Sequence, residues 1–363
     1  MPVTDTLIID RILNTAILRR ATDLHFIIGS YPILRIAGQL IQLTDEKLID
    51  AVFMTALLNY FFEADYIKEN KEIELVKMYS HGDQSRLRVR AYKQKGDWAI
   101  TVKRIHERLP QIDLIPYGNI IKPLLDGTGL IVISGPYNSG KSTVSGSILQ
   151  HINTTYNKRI ITIEDPVERL FINDRSIIEQ LQVNRDTVSI SDGLHDLIDQ
   201  DVDVVFVNKI VNASDLEQLL WLISSNKLVI VSADYSSIVG CLLAWQGMLP
   251  PEKQEWFKQV ISDFSRLFVS QEIVPGIMKG DQVMIAEVML VADNIRQSLG
   301  AGKISQLEGL LNSSTSSSLI SFDNALIDAV NRGIIEPATA INVARSRSFV
   351  QSRIGSHFNV QSY

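Results

Sequence analysis

Four short, almost wholly apolar runs, at 130–133, 160–163, 204–207 and 228–231, organise the second half of this chain, broken only by Thr162. Each is rich in Val and Ile and shows no alternation, the pattern of parallel strands buried on both faces. Helical stretches separate them. One covers 213–223, and its opening Ser214-Asp215-Leu216-Glu217 fits a capping box. Strands alternating with helices predict an α/β core. The first hundred residues read differently. The opening twenty have helical period, with Ile8, Ile9, Ile12, Leu13, Ala16 and Ile17 on one side. Residues 25–28 and 33–36 are strand-like around a turn at Gly29-Ser30-Tyr31-Pro32, and 45–65 are again helical in period. Residues 86–92 and 98–105 alternate, which predicts two strands. The pattern therefore divides the chain into a small α+β domain over 1–108, a linker over 109–125 punctuated by Pro110, Pro116 and Pro123, and an α/β domain over 126–363. Beyond about 240 that domain reads as mostly helical, with a flexible serine-rich loop at 313–318.

Composition narrows the classes. With 363 residues, two domains are expected, and 45% apolar residues are ample for a core. A net charge of −6 argues against bulk nucleic-acid binding. Cys241 is the only cysteine, so no intrachain disulfide can form, and a reducing cytosol is the expected home. No apolar run is long enough to span a bilayer, so membrane association is expected only through a partner.

The chemistry starts after the first apolar run. Gly135-Pro136-Tyr137-Asn138-Ser139-Gly140-Lys141-Ser142 fits G-x-x-x-x-G-K-[ST] at every fixed position. The glycines let the backbone wrap a phosphate chain, and loop and helix N–H groups point at its oxygens. Lys141 is placed for the β/γ-phosphates and Ser142 for Mg²⁺. The second run ends Thr162-Ile163-Glu164-Asp165-Pro166, which puts two acids at a strand's carboxyl end, where ligands bind in open α/β sheets. The third run ends Asn208-Lys209. A Walker B strand ends in an acid that steers the metal; here an ammonium stands in its place. In the first domain, period two puts Arg86, Arg88 and Arg90 on one strand face and Leu87, Val89 and Ala91 on the other. The arginines form either a solvated face or a row aimed at phosphates or an acidic neighbour; their mutual repulsion favours an anionic partner. The six histidines lack metal-site spacing and read as structural or surface residues.

Together these motifs resemble the type IV pilus retraction ATPases, the PilT-like members of the secretion ATPase superfamily. Ala21-Thr22-Asp23-Leu24-His25 resembles the family's A-S-D-L-H, Arg86-Leu87-Arg88-Val89 its R-F-R-V, and Lys103-Arg104-Ile105 its R-R-I. The phosphate loop resembles G-P-T-G-S-G-K-S-T, with Tyr137 and Asn138 replacing Thr and Gly and Thr143 closing the motif. Residues 162–168 match the aspartate box T-I-E-D-P-I-E almost letter for letter, with Val167 for Ile, and Ile295-Arg296-Gln297-Ser298-Leu299 resembles A-I-R-N-L-I. The resemblance implies a PAS-like N-terminal domain and a RecA-like core. It implies ATP and Mg²⁺ held by the loop, Glu164 as the catalytic carboxylate, and Arg86, Arg88 and Arg104 near the nucleotide or a subunit interface. It further implies a hexameric ring, homomeric or mixed with an active paralogue, docked on an inner-membrane pilus platform protein from the cytoplasm.

The departures from the family pattern are concentrated in polar positions. G-E-[IM]-R-D reads Asn208-Lys209-Ile210-Val211-Asn212. The histidine boxes T-G-H-L-V and T-L-H-T read Ser225-Asn226-Lys227-Leu228-Val229 and Ser232-Ala233-Asp234-Tyr235. The apolar skeleton is intact while the polar machinery is stripped out. The expectation is a nucleotide-binding protein with weak or lost hydrolysis, accessory to an active motor in pilus dynamics. The alternatives are an active motor using Glu164, an interaction module with a relic loop, and, more distantly, a small-molecule kinase.

Overall fold

A computed structural model of the chain describes residues 3–63, 74–82, 85–105, 109–278, 280–314, 316 and 318–358. The chain forms two compact units, Met1–Arg108 and Leu109–Tyr363.

The first unit contains helix α1 (Val3–Leu18), strands β1 (Asp23–Ile27), β2 (Ile33–Ile36) and β3 (Gln39–Gln42), helix α2 (Ala51–Phe61), and strands β4 (Glu74–His81), β5 (Ser85–Gln94) and β6 (Asp97–Ile105). Its sheet runs β3-β2-β1-β6-β5-β4 and is antiparallel throughout. Ile9, Ile12 and Leu13 of α1 and Phe53, Leu57 and Phe61 of α2 cover one sheet face, meeting Leu24, Phe26, Val89 and Val102. The helical period read over 45–65 becomes a helix only from Ala51, because Asp50 caps it: its Oδ1 accepts from Phe53 N at 2.7 Å. Residues 64 and 65 lie outside the described residues. Strands β3 and β4 escaped the sequence pattern. β3 is exposed along its whole length, and its adjacent Leu40 and Ile41 give no alternation. The β5–β6 turn is Lys95-Gly96 with φ of 52° and 86°, the left-handed pair that suits a two-residue hairpin.

The second unit has an eight-stranded sheet in the order β14-β13-β12-β7-β11-β10-β8-β9. After a short helix α3 (Gly118–Ile121) come β7 (Gly129–Ser134), α4 (Lys141–Thr155), β8 (Arg159–Glu164), β9 (Ile177–Gln182), α5 (Ile190–Asp196), β10 (Val204–Val207), α6 (Ala213–Ile223), β11 (Leu228–Ala233), α7 (Ile238–Met248) and α8 (Pro251–Phe264). The four apolar runs are β7, β8, β10 and β11, all mutually parallel and buried at essentially every position. Their residues alternate between two cores. Ile131 and Ile133 pack with Val144, Ile148 and Ile152 of α4, while Leu130 and Val132 pack with Leu216, Leu219 and Leu220 of α6. Burial on both faces is what erased the alternation from the sequence.

Two expectations change here and one is extended. The region beyond 240 is mostly helical, as expected, but it also holds β12 (Ser265–Pro275) and β13 (Gln282–Leu290), a long antiparallel hairpin that widens the sheet beside β7. The remaining elements are α9 (Asp293–Gly300), α10 (Leu307–Ser313), β14 (Leu319–Ile320), α11 (Phe322–Asn331), α12 (Pro337–Val343) and α13 (Arg347–Phe358). In the serine-rich run, Thr315 and Ser317 lie outside the described residues. Secondly, residues 109–125, expected as a linker, fold onto the second unit: Ile112, Ile115, Tyr117, Ile121 and Leu125 are buried in its core. The prolines there punctuate short helical turns rather than open chain. Thirdly, α6 is capped two residues earlier than Ser214. Asn212 Oδ1 accepts from Asp215 N at 2.9 Å, and Asp215 Oδ2 accepts from Val211 N at 3.1 Å.

Candidate functional site

Because β7, β11, β10 and β8 are parallel and adjacent, their carboxyl ends bring the loop 135–140, Asp234, Asn208-Lys209 and Glu164-Asp165 to one sheet edge. This is the edge at which open α/β sheets bind ligands.

The loop after β7 is built by the main chain. Gly135, Asn138 and Gly140 have φ of 153°, 64° and 87°. A Cβ on Gly135 would lie 2.3 Å from Gln271 O and 2.4 Å from Ser139 Oγ, so only glycine fits. Asn138 replaces a glycine of the family pattern and still holds the left-handed conformation, which asparagine tolerates better than most residues. Gly140 opens α4 without a side-chain cap, so the helix's leading N–H donors face the loop's interior edge. Of the remaining loop residues, Tyr137 is exposed, Ser139 is buried, and Ser142 and Thr143 follow Lys141 in the first turn, Ser142 exposed.

A buried hydrogen-bond chain braces this loop from beneath. Tyr117 donates to Gln271 Oε1, and Gln271 Nε2 donates to Ser139 O at 2.8 Å. Both side chains are at most 1% exposed. Burial pushes the Tyr117 phenol well above its ordinary range, so it stays a donor. Sequence reasoning missed both residues: Tyr117 fell in the expected linker, and Gln271 in the region read as helical. The one signal was the polar pair Ser270-Gln271 directly following the strongly apolar Leu267-Phe268-Val269.

The charged groups at the edge pair with each other. Lys141 Nζ donates to Gly135 O at 2.7 Å and Pro136 O at 2.8 Å, and it meets Asp234 Oδ1 at 2.9 Å. Lys209 Nζ donates to Asp165 Oδ2 at 2.7 Å. The ammonium at the Walker B position is therefore held by the second acid of the aspartate box. Glu164, the expected catalytic carboxylate, is buried; its Oε1 accepts from Thr162 Oγ1 at 2.7 Å and from Gln180 Nε2 at 3.1 Å. Gln180 also donates to Arg169 O and accepts from Phe171 N, tying the segment after the aspartate box to β9. The edge fits a phosphate chain: it offers a main-chain cradle, a helix start and a lysine. Its fit to Mg²⁺ rests on the Ser142 hydroxyl, since Asp165 and Asp234 each hold a lysine.

The three arginines expected near the nucleotide all lie in the first unit and do not share a face. Arg86 and Arg88 stand opposite Ile105 and Lys103 on β6, but Arg104 stands opposite Leu87 and so turns to the helix-covered face. There its Nη1 donates to Ile17 O at 3.3 Å. The row's third member, Arg90, finds an acidic neighbour: its Nη2 donates to Glu74 Oε2 at 2.9 Å.

Comparison with known proteins bears on this edge. Residues 3–220 match the family model described as type II/IV secretion system protein. The type IV pilus retraction ATPase PilT of Pseudomonas aeruginosa is 23% identical over 337 residues, covering 90% of this chain and 94% of that protein. The type IV pilus ATPase PilU of the same organism is 23% identical over 344 residues, covering 93% and 88%. Among solved structures, the pilus retraction motor PilT with bound ADP superposes with a TM-score of 0.82 at 24% identity, covering 95% of this chain and 99% of that one. That likeness carries the fold: a smaller sheet domain followed by an α/β core.

Proposed function

The chain belongs to the type II/IV secretion system protein family, within its PilT-like branch, and from that premise we propose that it is an ATP-binding subunit of type IV pilus dynamics with weak or lost hydrolysis. The observation that carries the binding half is the loop at 135–142, where positive φ angles, a steric demand for glycine and Lys141 combine at the sheet's carboxyl edge. Gly135 to Thr143 hold the phosphates, with Lys141 at the β/γ-oxygens, and Ser142 gives its hydroxyl to Mg²⁺. Bound Mg²⁺ supplies charge neutralisation at the phosphates.

The pairing at the edge supports the loss of turnover. Efficient hydrolysis needs an acid to orient water and cations to absorb developing charge. Position 209 offers an ammonium held by Asp165 instead. Each lost electrostatic stabiliser costs roughly 10²–10³ in rate. A subunit that binds and barely turns over suits an accessory role in a ring, homomeric or mixed with an active paralogue. Pseudomonas aeruginosa has both PilT and PilU. Among the described residues no helix is long and apolar enough to cross a membrane, so docking on an inner-membrane platform from the cytoplasm would run through a protein partner. An active motor with Glu164 as its base is the second reading, favoured by the hydrogen bonds from Thr162 and Gln180 that orient that carboxylate.

Binding of a fluorescent ATP analogue and phosphate release, measured on the full chain beside Lys141→Ala, test this. The expected result is binding that Lys141→Ala abolishes, with negligible release. Release at motor-like rates that Glu164→Gln removes would establish the second reading, and absence of binding would leave the loop a relic.

A further inference from the structure

Asp234 stands where the family pattern carries a histidine, and its carboxylate takes the phosphate-loop lysine, with Nζ and Oδ1 2.9 Å apart. Building on the nucleotide reading above, we propose that Asp234 is an intramolecular latch on the phosphate loop, an internal anion that a phosphate must displace from Lys141.

The geometry around the pair is built rather than incidental. An ammonium has three donors, and all three of Lys141's are used, by Gly135 O, Pro136 O and Asp234. The backbone carrying Asp234 is fixed on both sides. On one side Ser134, the last residue of the strand leading into the phosphate loop, donates from Oγ to Tyr235 O at 2.5 Å and accepts from Tyr235 N at 3.3 Å. On the other, Arg345 Nη2 donates to Ser236 O at 2.5 Å. The same guanidinium pairs through Nη1 with the buried Glu287 at 2.7 Å, and Glu287 Oε2 accepts from Ile238 N at 3.0 Å. The carboxylate is thus presented to the lysine by a segment anchored to the loop's own strand and, through Arg345 in the turn between α12 and α13, to Glu287 of β13.

Only the side chain needs to move. Asp234 is 75% exposed at its side chain, whereas Lys141 is 12% exposed. The carboxylate can turn into water by rotation about its own bonds while the lysine stays in place. A pair with one member so exposed is weak, and a polyphosphate brings more charge than one carboxylate. The latch therefore raises the threshold for binding without closing the site. Ligands of high charge displace it best, because their attraction to Lys141 outweighs that of a single carboxylate.

Calorimetric titration of the full chain tests this, using wild type, Asp234→Asn, Asp234→Ala and Lys141→Ala against Mg²⁺-ATP, pyrophosphate and adenosine. Both Asp234 variants are expected to bind ATP and pyrophosphate about three- to tenfold more tightly than wild type. The gain should shrink at high salt, and adenosine, which has no phosphate, should be unaffected. Unchanged phosphate affinity overturns the latch. So does weaker Mg²⁺-ATP binding, which would assign Asp234 to the metal, or an equal gain for adenosine, which would mean general loosening of the pocket. If wild type binds ATP but the variants do not gain, the latch fails and the nucleotide reading stands. If no form binds any phosphate probe, the nucleotide reading fails and the latch falls with it.

Discussion

The loop after β7 and the ends of β8, β10 and β11 share one sheet edge and differ in what they are made of. The loop works through its main chain: left-handed φ angles at Asn138 and Gly140, a glycine at 135 with no room for a Cβ, and a helix start. The neighbouring strand ends work through side chains, and there charges have been re-paired as Lys209 with Asp165 and Lys141 with Asp234. A main-chain cradle tolerates exchange at its variable positions as long as the dihedrals hold, as Asn138 shows. A side-chain constellation is undone by one reversed charge. The contrast sets apart two kinds of site on one edge, a main-chain cradle and a side-chain charge network, that respond differently to substitution.

The sharpest attempt to break this contrast is Gly135→Ala. The added Cβ would collide with Gln271 O and Ser139 Oγ, and more than a hundredfold loss of ATP binding is expected, with a lowered melting temperature in thermal denaturation. Nucleotide affinity at the wild-type level in that variant would show that the loop's main chain does not make the site. Next in size is the brace beneath the loop. Gln271→Leu strands the Tyr117 hydroxyl and Ser139 O in a buried space, so a loss of about 1–3 kcal/mol in chemical denaturation is expected, with weaker binding as well. The side-chain half is probed by Lys209→Glu, which frees Asp165 and returns an acid to the Walker B position. Mg²⁺-dependent phosphate release should rise about tenfold, a fraction of what one restored electrostatic group can give; an unchanged Mg²⁺ titration would count against placing residue 209 at the metal.

The smallest effect serves as a control in the first unit. Burial lowers the His25 pKa below its ordinary value, opposed by Asp23. The unfolded chain then binds the proton more readily than the folded one, so stability is present above the ordinary histidine value of about 6.5 and declines as pH falls below it. Melting of wild type against His25→Gln from pH 7.5 to 5.5 should show the wild type losing more, with ATP affinity at pH 7.5 the same in both. A pH-independent difference would assign the residue a purely packing role.

How far the sequence could be read follows from where each signal is stored. β7, β8, β10 and β11 were legible because a strand buried on both faces is apolar at nearly every central position. Leu87, Val89 and Ala91 against Arg86, Arg88 and Arg90 were legible because one face is buried and the other is not. β12 and β13 were not, since Ser270, Gln271 and Glu287 interrupt their apolar runs, and those polar groups are buried only because tertiary partners satisfy them. Tyr117 gave no sign either, as proline spacing suggested open chain where the structure folds short turns onto the core. Arg104 was grouped with Arg86 and Arg88 by kind, though antiparallel pairing with Leu87 puts it on the opposite face.

The amino-acid order by itself determined the phosphate loop, the apolar strand skeleton, the loss of the Walker B acid and the family. All of these are local: a glycine's allowed dihedrals and a run of valines and isoleucines are properties of neighbours along the chain. Only the tertiary structure decided which charges meet. Sheet order places β11 beside β7, and so Asp234 beside Lys141; it places β10 beside β8, and so Lys209 beside Asp165. Strand order is set by long-range packing and connection geometry, which no short stretch of residues records.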